Sequence, residues 1–181
     1  MTCIVGMIDK KSNKVIIGGD SLSSTNYFIS SRKDTKVFKK GSFVIGCTSS
    51  FRMIQLLRFS LVLPEINKKD IYEYMCTDFI DAVRECFSKG GFLQKEQTGE
   101  ETGGQFLVGY EDRLFIIDND FQVGETYDEF NSVGCGSDFA LGCMYLLRDK
   151  KIPTENKIRQ ALEVAEHFSP FVKQPFIFET T

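Results

Sequence analysis

The chain has 181 residues, 42% hydrophobic and 26% charged, with 22 basic and 25 acidic side chains and a formal net charge of −3. That length fits one domain with a core of its own, and the slight acidity argues against a nucleic-acid binder, which needs a basic face. No stretch approaches the roughly 20 apolar residues of a membrane span, and the N-terminus lacks the positive lead-in and small-residue cleavage site of a secretory signal, so the expected location is cytoplasmic.

The first fifty residues read as strands. TCIVGMID (2–9) is β-rich, KKSN is a turn, and KVIIGGD (14–20) is β-rich again. NYFISSR, TKVFKK, a KKGS turn and SFVIGCT follow. Cys3, Val5 and Met7 alternate with Ile4, Gly6 and Ile8, so the first strand is apolar on both faces. A sheet covered on both sides is implied.

FRMIQLLRFSLVL (51–63) predicts a helix with Met53, Leu56 and Leu57 on one face. A second helix starts at Asp70, an N-cap with Glu73 three residues on. It carries Ile71, Met75, Phe79, Ile80, Val83 and Phe87 at three- and four-residue steps and stops near Gly90-Gly91. The polar run QKEQTGEETGGQ (94–105) reads as a mobile surface loop.

Strands resume with QFLVGYE, RLFIIDN and FQVGET, then a short strand before Gly134. SDFALGCMYLLRD predicts a helix with Ser137 as its cap. A last helix runs from Thr154 with Ile158, Ala161, Leu162, Ala165 and Phe168 on one face, and PFIFET closes the chain as a strand. The order is strands, two helices, strands, two helices, strand. An α+β, four-layer αββα sandwich of residues 1–181, with two antiparallel sheets between helix layers, uses every element as one domain.

Phenylalanine, with 17 copies and no tryptophan beside it, reads as core filling. The six cysteines (Cys3, Cys47, Cys76, Cys86, Cys135 and Cys143) include no CxxC pair, and His167 is the single histidine. Zinc wants paired ligands at close spacing. The expectation is no metal, no cofactor, no Ser-His or Cys-His pair, and reduced, mostly buried thiols.

Thr2 is followed 18 positions later by Asp20, and Asp20 is followed 16 positions later by Lys36. Singly, these are a β-former, a turn residue and a solvated lysine. Together with Thr2-Cys3-Ile4-Val5, Gly18-Gly19-Asp20-Ser21, Thr35-Lys36-Val37, Ile45-Gly46-Cys47-Thr48-Ser49-Ser50 and Gly134-Cys135-Gly136-Ser137, the chain resembles the proteasome β-subunits and the bacterial HslV peptidase. These are N-terminal-nucleophile (Ntn) hydrolases. The resemblance follows element order over nearly the whole chain.

The resemblance implies a threonine peptidase with Thr2 as nucleophile. A threonine hydroxyl needs a base. With no usable histidine, that base is the residue's own α-amine, with an ordinary pKa of about 7.7–8.0, exposed by removal of Met1. Lys36 would keep its charge, favour the neutral amine and support the ionised hydroxyl. Asp20 would pair with Lys36. The Ser49 backbone N–H would bind the oxyanion. By the same match, Ser137, Glu166 and Ser169 would lie near the amine.

The sequence departs from the family pattern at four places. The oxyanion turn, typically glycine-rich, reads Thr48-Ser49-Ser50-Phe51-Arg52, with side chains placed to crowd the site. Cys135 stands where a serine is usual, Glu166 where an aspartate is expected, and Pro170 where glycine is common.

Three functions fit these residues. One is a threonine peptidase in a ring-shaped homo-oligomer, acting on unfolded polypeptide or peptide delivered by a separate ATPase unfoldase. The glycines form no Walker loop, so that ATPase is another chain. The second is a small-molecule amidohydrolase with Cys3 as nucleophile, although the Asp20 and Lys36 spacing fits Thr2 better. The third is a non-catalytic scaffold that keeps the fold. No nucleic acid or membrane is a partner in any of them.

Overall fold

The computed structural model describes residues 1–25, 27–67, 70–96 and 99–181. One sheet has the order β12-β1-β2-β13, built from Phe130–Val133, Ile4–Asp9, Lys14–Gly19 and Ile177–Thr180. The other has the order β11-β10-β9-β6-β5, built from Val123–Glu125, Arg113–Ile117, Phe106–Tyr110, Phe43–Cys47 and Val37–Lys40. All pairings in both sheets are antiparallel. Helices α4 (Ser137–Leu147) and α5 (Thr154–Phe168) cover the first sheet. On the second lie α1 (Phe51–Gln55), α2 (Ile71–Tyr74) and α3 (Ile80–Lys89). The expected four-layer αββα sandwich is the observed architecture.

Strand alternation builds the layers. In β1 and the residue before it, Cys3, Val5 and Met7 pack under α4 and α5. Ile4 faces the opposite sheet, and with Val15, Ile17 and Val133 of its own sheet it packs on Val37, Val44, Leu107 and Leu114 of the other. In β6, Ile45 and Cys47 face the α1–α3 layer while Val44 faces inward. β6 and the first four residues of β1 are buried on both faces, so their apolar positions run without a polar gap. The two sheets approach closely where glycines face the middle layer. A Cβ on Gly46 would lie 2.6 Å from Ile4 Cγ2 and 2.8 Å from Ile17 Cγ2.

Several local expectations need correction. The first helix gives way at Leu56 to a π-turn (Leu56–Ser60), and Leu61 is extended. Pro64 disfavours helix at the residue before it, and Val62 is exposed, so nothing there rewards another turn. Asp70 caps α2 as expected, accepting from the N–H groups of Tyr72 and Glu73. A π-turn (Met75–Phe79) then joins α2 to α3. The apolar row 71, 75, 79, 83, 87 advances in steps of four, about 0.4 residue more than an α-turn at each step. The wider turn brings that row back over the sheet.

Ser137 is the first residue of α4, and the capping position is Gly136. Phe168 ends α5 exposed, not on its buried face. The 94–105 segment contains a two-stranded ribbon, β7 (Gln94–Glu96) with β8 (Gly99–Glu101), and Arg84 holds Glu100 at 2.8 Å. Gln97 and Thr98 of that expected loop lie outside the described residues. Three thiols are buried, but Cys76 and Cys135 are exposed and Cys143 is half-buried.

Among the described residues, no helix is long and apolar enough to cross a membrane. A tightly filled middle layer has a measurable consequence. Gly46→Ala should force the sheets apart and lower the unfolding free energy by about 1–3 kcal/mol, read as a lower urea midpoint at unchanged slope.

Candidate active site

The β1–β2 hairpin pairs Ile4 with Gly19, so the residues just outside it, Thr2-Cys3 and Asp20, meet at one end of the sheet. Asp20 N–H donates to the Cys3 carbonyl at 3.3 Å, and Cys3 N–H donates to Asp20 Oδ1 at 3.0 Å. Lys36 precedes β5 on the facing sheet. Its ammonium reaches across the middle layer and donates to the same Asp20 Oδ1 at 2.9 Å. Leu22 N–H donates to Asp20 Oδ2 at 3.0 Å. Thr2, Asp20 and Lys36 are all buried. The structure therefore brings together three residues that lie 34 positions apart at the extremes.

Burial pulls the Lys36 ammonium below the usual lysine range, and the Asp20 carboxylate opposes that fall. Lys36 Nζ also lies 3.5 Å from the Met1 carbonyl, which accepts from the Thr2 hydroxyl as well. Thr2 Oγ1 and Lys36 Nζ thus converge on one carbonyl oxygen. Cys3, by contrast, is fully buried, and burial pushes its thiol up to about 12, with a contact to Ser132 Oγ at 3.8 Å.

The turn 134–136 clasps Thr2 from the other side. Gly134 has φ +101°, and a Cβ there would run into the Thr2 carbonyl oxygen. Gly136 N–H donates to that oxygen at 3.2 Å. Thr2 N–H donates to Cys135 Sγ at 3.2 Å, and the thiol donates back to Thr2 O at 3.4 Å. The thiol thus lies beside the Thr2 backbone nitrogen.

A cavity of about 70 Å³ opens beside Thr2. Leu22, Phe51 and Ile54 make its apolar wall, and Ser23, Ser24, Thr48 and Ser49 its polar rim. Met1 lines it too, with Ser24 Oγ 3.3 Å from the methionine sulfur. Ser49 sits in the left-handed region at φ +62°, the conformation that glycine would adopt without cost. Its side chain packs on Gly104, where a Cβ would approach Ser49 Cβ to 2.7 Å, and lies 3.3 Å from Thr48 Oγ1. A glycine on the facing segment thus accommodates the side chain that departs from the glycine-rich pattern.

Ser137, Glu166 and Ser169 make other contacts. Ser137 N–H donates to the Gly134 carbonyl at 3.0 Å, and its hydroxyl lies 3.5 Å from Asp138 Oδ1. Glu166 accepts from Gln174 N and Nε2 at 3.1 and 3.0 Å. Ser169 Oγ accepts from Phe171 N–H at 3.3 Å. Among the described residues no hydrogen bond joins these three side chains to Thr2. No cluster of three metal-ligating side chains occurs among the described residues. The turn expected to crowd the site supplies Thr48, Ser49 and Phe51 to this lining, whereas Leu22, Ser23, Ser24 and Ile54 were not singled out from the sequence. The one available signal for the missed residues was adjacency, since Leu22, Ser23 and Ser24 come soon after Asp20 and Ile54 soon after the Ser49 turn.

No protein-family model and no curated protein matches the sequence. Solved structures do match the fold. BPH of Thiobacillus denitrificans, in complex with epoxomicin, superposes with a TM-score of 0.82 at 18% identity, covering 99% of this chain and 98% of that one. HslV of Trypanosoma brucei gives 0.69 at 16% identity, covering 99% and 98%. The Gly-1 mutant of Anbu from Hyphomicrobium sp. strain MC1 gives 0.71 at 16%, covering 98% and 80%. The chain thus has the HslV-like, proteasome-type fold.

The buried ion pair should dominate the stability of this end of the molecule. Asp20→Ala removes the partner of a buried ammonium and two acceptors of backbone N–H groups. It is expected to cost about 3–5 kcal/mol in chemical denaturation.

Proposed function

We propose that this chain is a proteasome/HslV-type threonine peptidase whose nucleophile, Thr2, acts once Met1 has been removed. The observation that carries the reading is the convergence of Thr2 Oγ1 and the Asp20-anchored Lys36 ammonium on one carbonyl oxygen at the edge of a cavity. That oxygen belongs to Met1. Loss of Met1 frees the Thr2 nitrogen as a primary amine and clears a residue that lines the cavity.

In the proposed reaction the amine takes the Thr2 hydroxyl proton as Oγ1 bonds to the carbonyl carbon of a substrate peptide. Lys36 stabilises the ionising oxygen, and the Ser49 N–H stabilises the oxyanion. The amine returns the proton to the leaving nitrogen as the C–N bond breaks, and water then hydrolyses the ester. Ser137, Glu166 and Ser169 are proposed as residues that order the amine once it is free. Cys135 Sγ, already 3.2 Å from the Thr2 nitrogen, favours one more contact of that kind.

The family resemblance extends the proposal to a ring-shaped homo-oligomer in the cytoplasm, acting on unfolded polypeptide or peptides with a separate ATPase unfoldase, and to 1–181 as one catalytic domain. Among the two nucleophiles, burial favours Thr2. A thiol pushed up to about 12 is a protonated, weak nucleophile near neutral pH.

Intact mass of the untagged protein is the first test, with one methionine expected to be missing. Epoxomicin, the molecule bound to the Thiobacillus relative, should then leave a covalent adduct that peptide mapping places on Thr2. Thr2→Ala should lower kcat/KM by at least about a thousandfold, whereas Cys3→Ala should change it only a few-fold. A retained Met1 with no adduct would sink the peptidase reading and leave the scaffold.

The pH profile should be bell-shaped. Activity falls on the acid side as the amine protonates, below its ordinary pKa of about 7.7–8.0 because the neighbouring Lys36 charge favours the neutral amine. It falls on the alkaline side as Lys36 loses its proton, below the usual 10.5 because its pKa is lowered by burial. Steady-state rates between pH 6 and 10 check both limbs.

A further inference from the structure

The turn that carries the Ser49 N–H is strained. Ser50 N–H donates to the Thr48 carbonyl at 2.8 Å, which closes a three-residue turn with Ser49 at its centre, at φ +62°. A three-residue turn with a positive central φ is the rare, strained form, and a side chain at its centre costs more than a glycine would. Two of the turn's three N–H groups are used, Thr48 by the Gln105 carbonyl at 3.1 Å and Ser50 by Thr48. Among the described residues no acceptor pairs with the Ser49 N–H, so it is the donor left for a ligand.

A strained turn persists only where its surroundings over-determine it. Here the surroundings are the segment 102–105, which leads into β9. The Gln105 carbonyl accepts from Thr48 Oγ1 at 2.7 Å as well as from Thr48 N–H. Gly104 lies directly against Ser49, and a Cβ on it would come to 2.7 Å from both Ser49 Cβ and Ser49 Oγ. Thr102, fully buried, clasps Gly104 in turn. Its hydroxyl donates to the Gly104 carbonyl and accepts from the Gly104 N–H at 3.1 Å. Both ends of the segment are tied to the chain after β10. Thr102 N–H donates to the Asn119 carbonyl at 2.8 Å, and Gln105 Nε2 donates to Asp118 Oδ1 at 2.6 Å.

We infer that Thr102 and Gly104 are positioning residues, which set the direction of the Ser49 N–H and through it the rate of turnover. The inference rests on the peptidase reading and extends it to two residues that do not line the cavity beside Thr2. An oxyanion exists only once the substrate carbonyl has been attacked. A donor aimed slightly away from it therefore loses stabilisation in the transition state and little in substrate binding. The effect falls on kcat, with KM spared. The Thr2 amine and Lys36, which set the two limbs of the pH profile, lie outside the segment, so the limbs stay where they are.

The test uses the full chain lacking Met1 and fluorogenic peptide amides, with circular dichroism and urea midpoints showing that each variant is folded under assay conditions. Gly104→Ala places a methyl against Ser49 Cβ, which cannot rotate aside as the hydroxyl can, so the turn itself must shift. It should lower kcat by about tenfold to a hundredfold with KM within about twofold and the pH limbs unmoved. In a Ser49→Gly background the same change should cost less than about threefold, because the side chain it strikes is gone. The next neighbour, Thr48 Oγ1, would be at 3.5 Å, an ordinary contact. Thr102→Val keeps the shape and removes the clasp, and should lower kcat by about fivefold or more at unchanged KM. It decides the matter if Gly104→Ala does not fold. An active wild type whose folded Gly104→Ala or Thr102→Val variant keeps its kcat overturns this inference alone, as does a Gly104→Ala loss undiminished in the Ser49→Gly background. A processed wild type with neither hydrolysis nor an adduct on Thr2 overturns the peptidase reading and this one with it.

Discussion

The Asp20 carboxylate holds the fold and the candidate site in one place. Its Oδ1 accepts from Cys3 N–H on one sheet and from the Lys36 ammonium on the other, while its Oδ2 fixes Leu22 at the start of the β3 strand (Leu22–Thr25). A charge buried this deeply is tolerable only when every acceptor site is used and a counter-charge is at hand. Those demands fix three backbone segments at once. Thr2 is held because Cys3 is held, and Lys36 cannot swing to solvent without stranding the carboxylate. Leu22 is thereby set in the cavity wall.

That pairing across the sandwich depends on how closely the sheets approach. Inward-facing glycines make the approach possible. Gly19 sits against Ile4 and Val37, Gly46 against Ile4 and Ile17, and Gly109 against Val15. Large residues on one sheet fill the spaces that these glycines leave on the other, as close packing requires. Gly19 immediately precedes Asp20, so the same residue that lets the sheets meet delivers the carboxylate to the lysine.

The departures from the family pattern meet compensating neighbours. Ser49 takes a left-handed conformation in place of a glycine, and Gly104 supplies the room its side chain needs. Cys135 stands in place of a serine, and its thiol contacts both the nitrogen and the carbonyl oxygen of Thr2. A thiol is a weaker donor and acceptor than a hydroxyl. It holds Thr2 more loosely than a serine would, and the Gly136 N–H supplies the firmer bond to the same carbonyl.

By itself the sequence determined the layers. Cys3, Val5 and Met7 alternating with Ile4, Gly6 and Ile8 require a strand buried on both faces, because side chains on a strand point to opposite sides. Asp70 marked a helix start because capping is a local hydrogen bond. The spacing of Thr2, Asp20 and Lys36, read with the family resemblance, placed three candidate residues at strand ends. The π-turns, the Gly136 cap ahead of Ser137, the ribbon within 94–105 and the exposure of Phe168 were decided elsewhere. Each depends on what a distant segment offers. The sheet beneath α2 and α3 selects the wider turn, Arg84 secures Glu100, and Phe139 meets Phe168. The cavity beside Thr2 likewise has walls from segments up to about fifty positions apart. Local pattern dictates which face of an element is apolar, but only packing between remote segments decides which atoms meet.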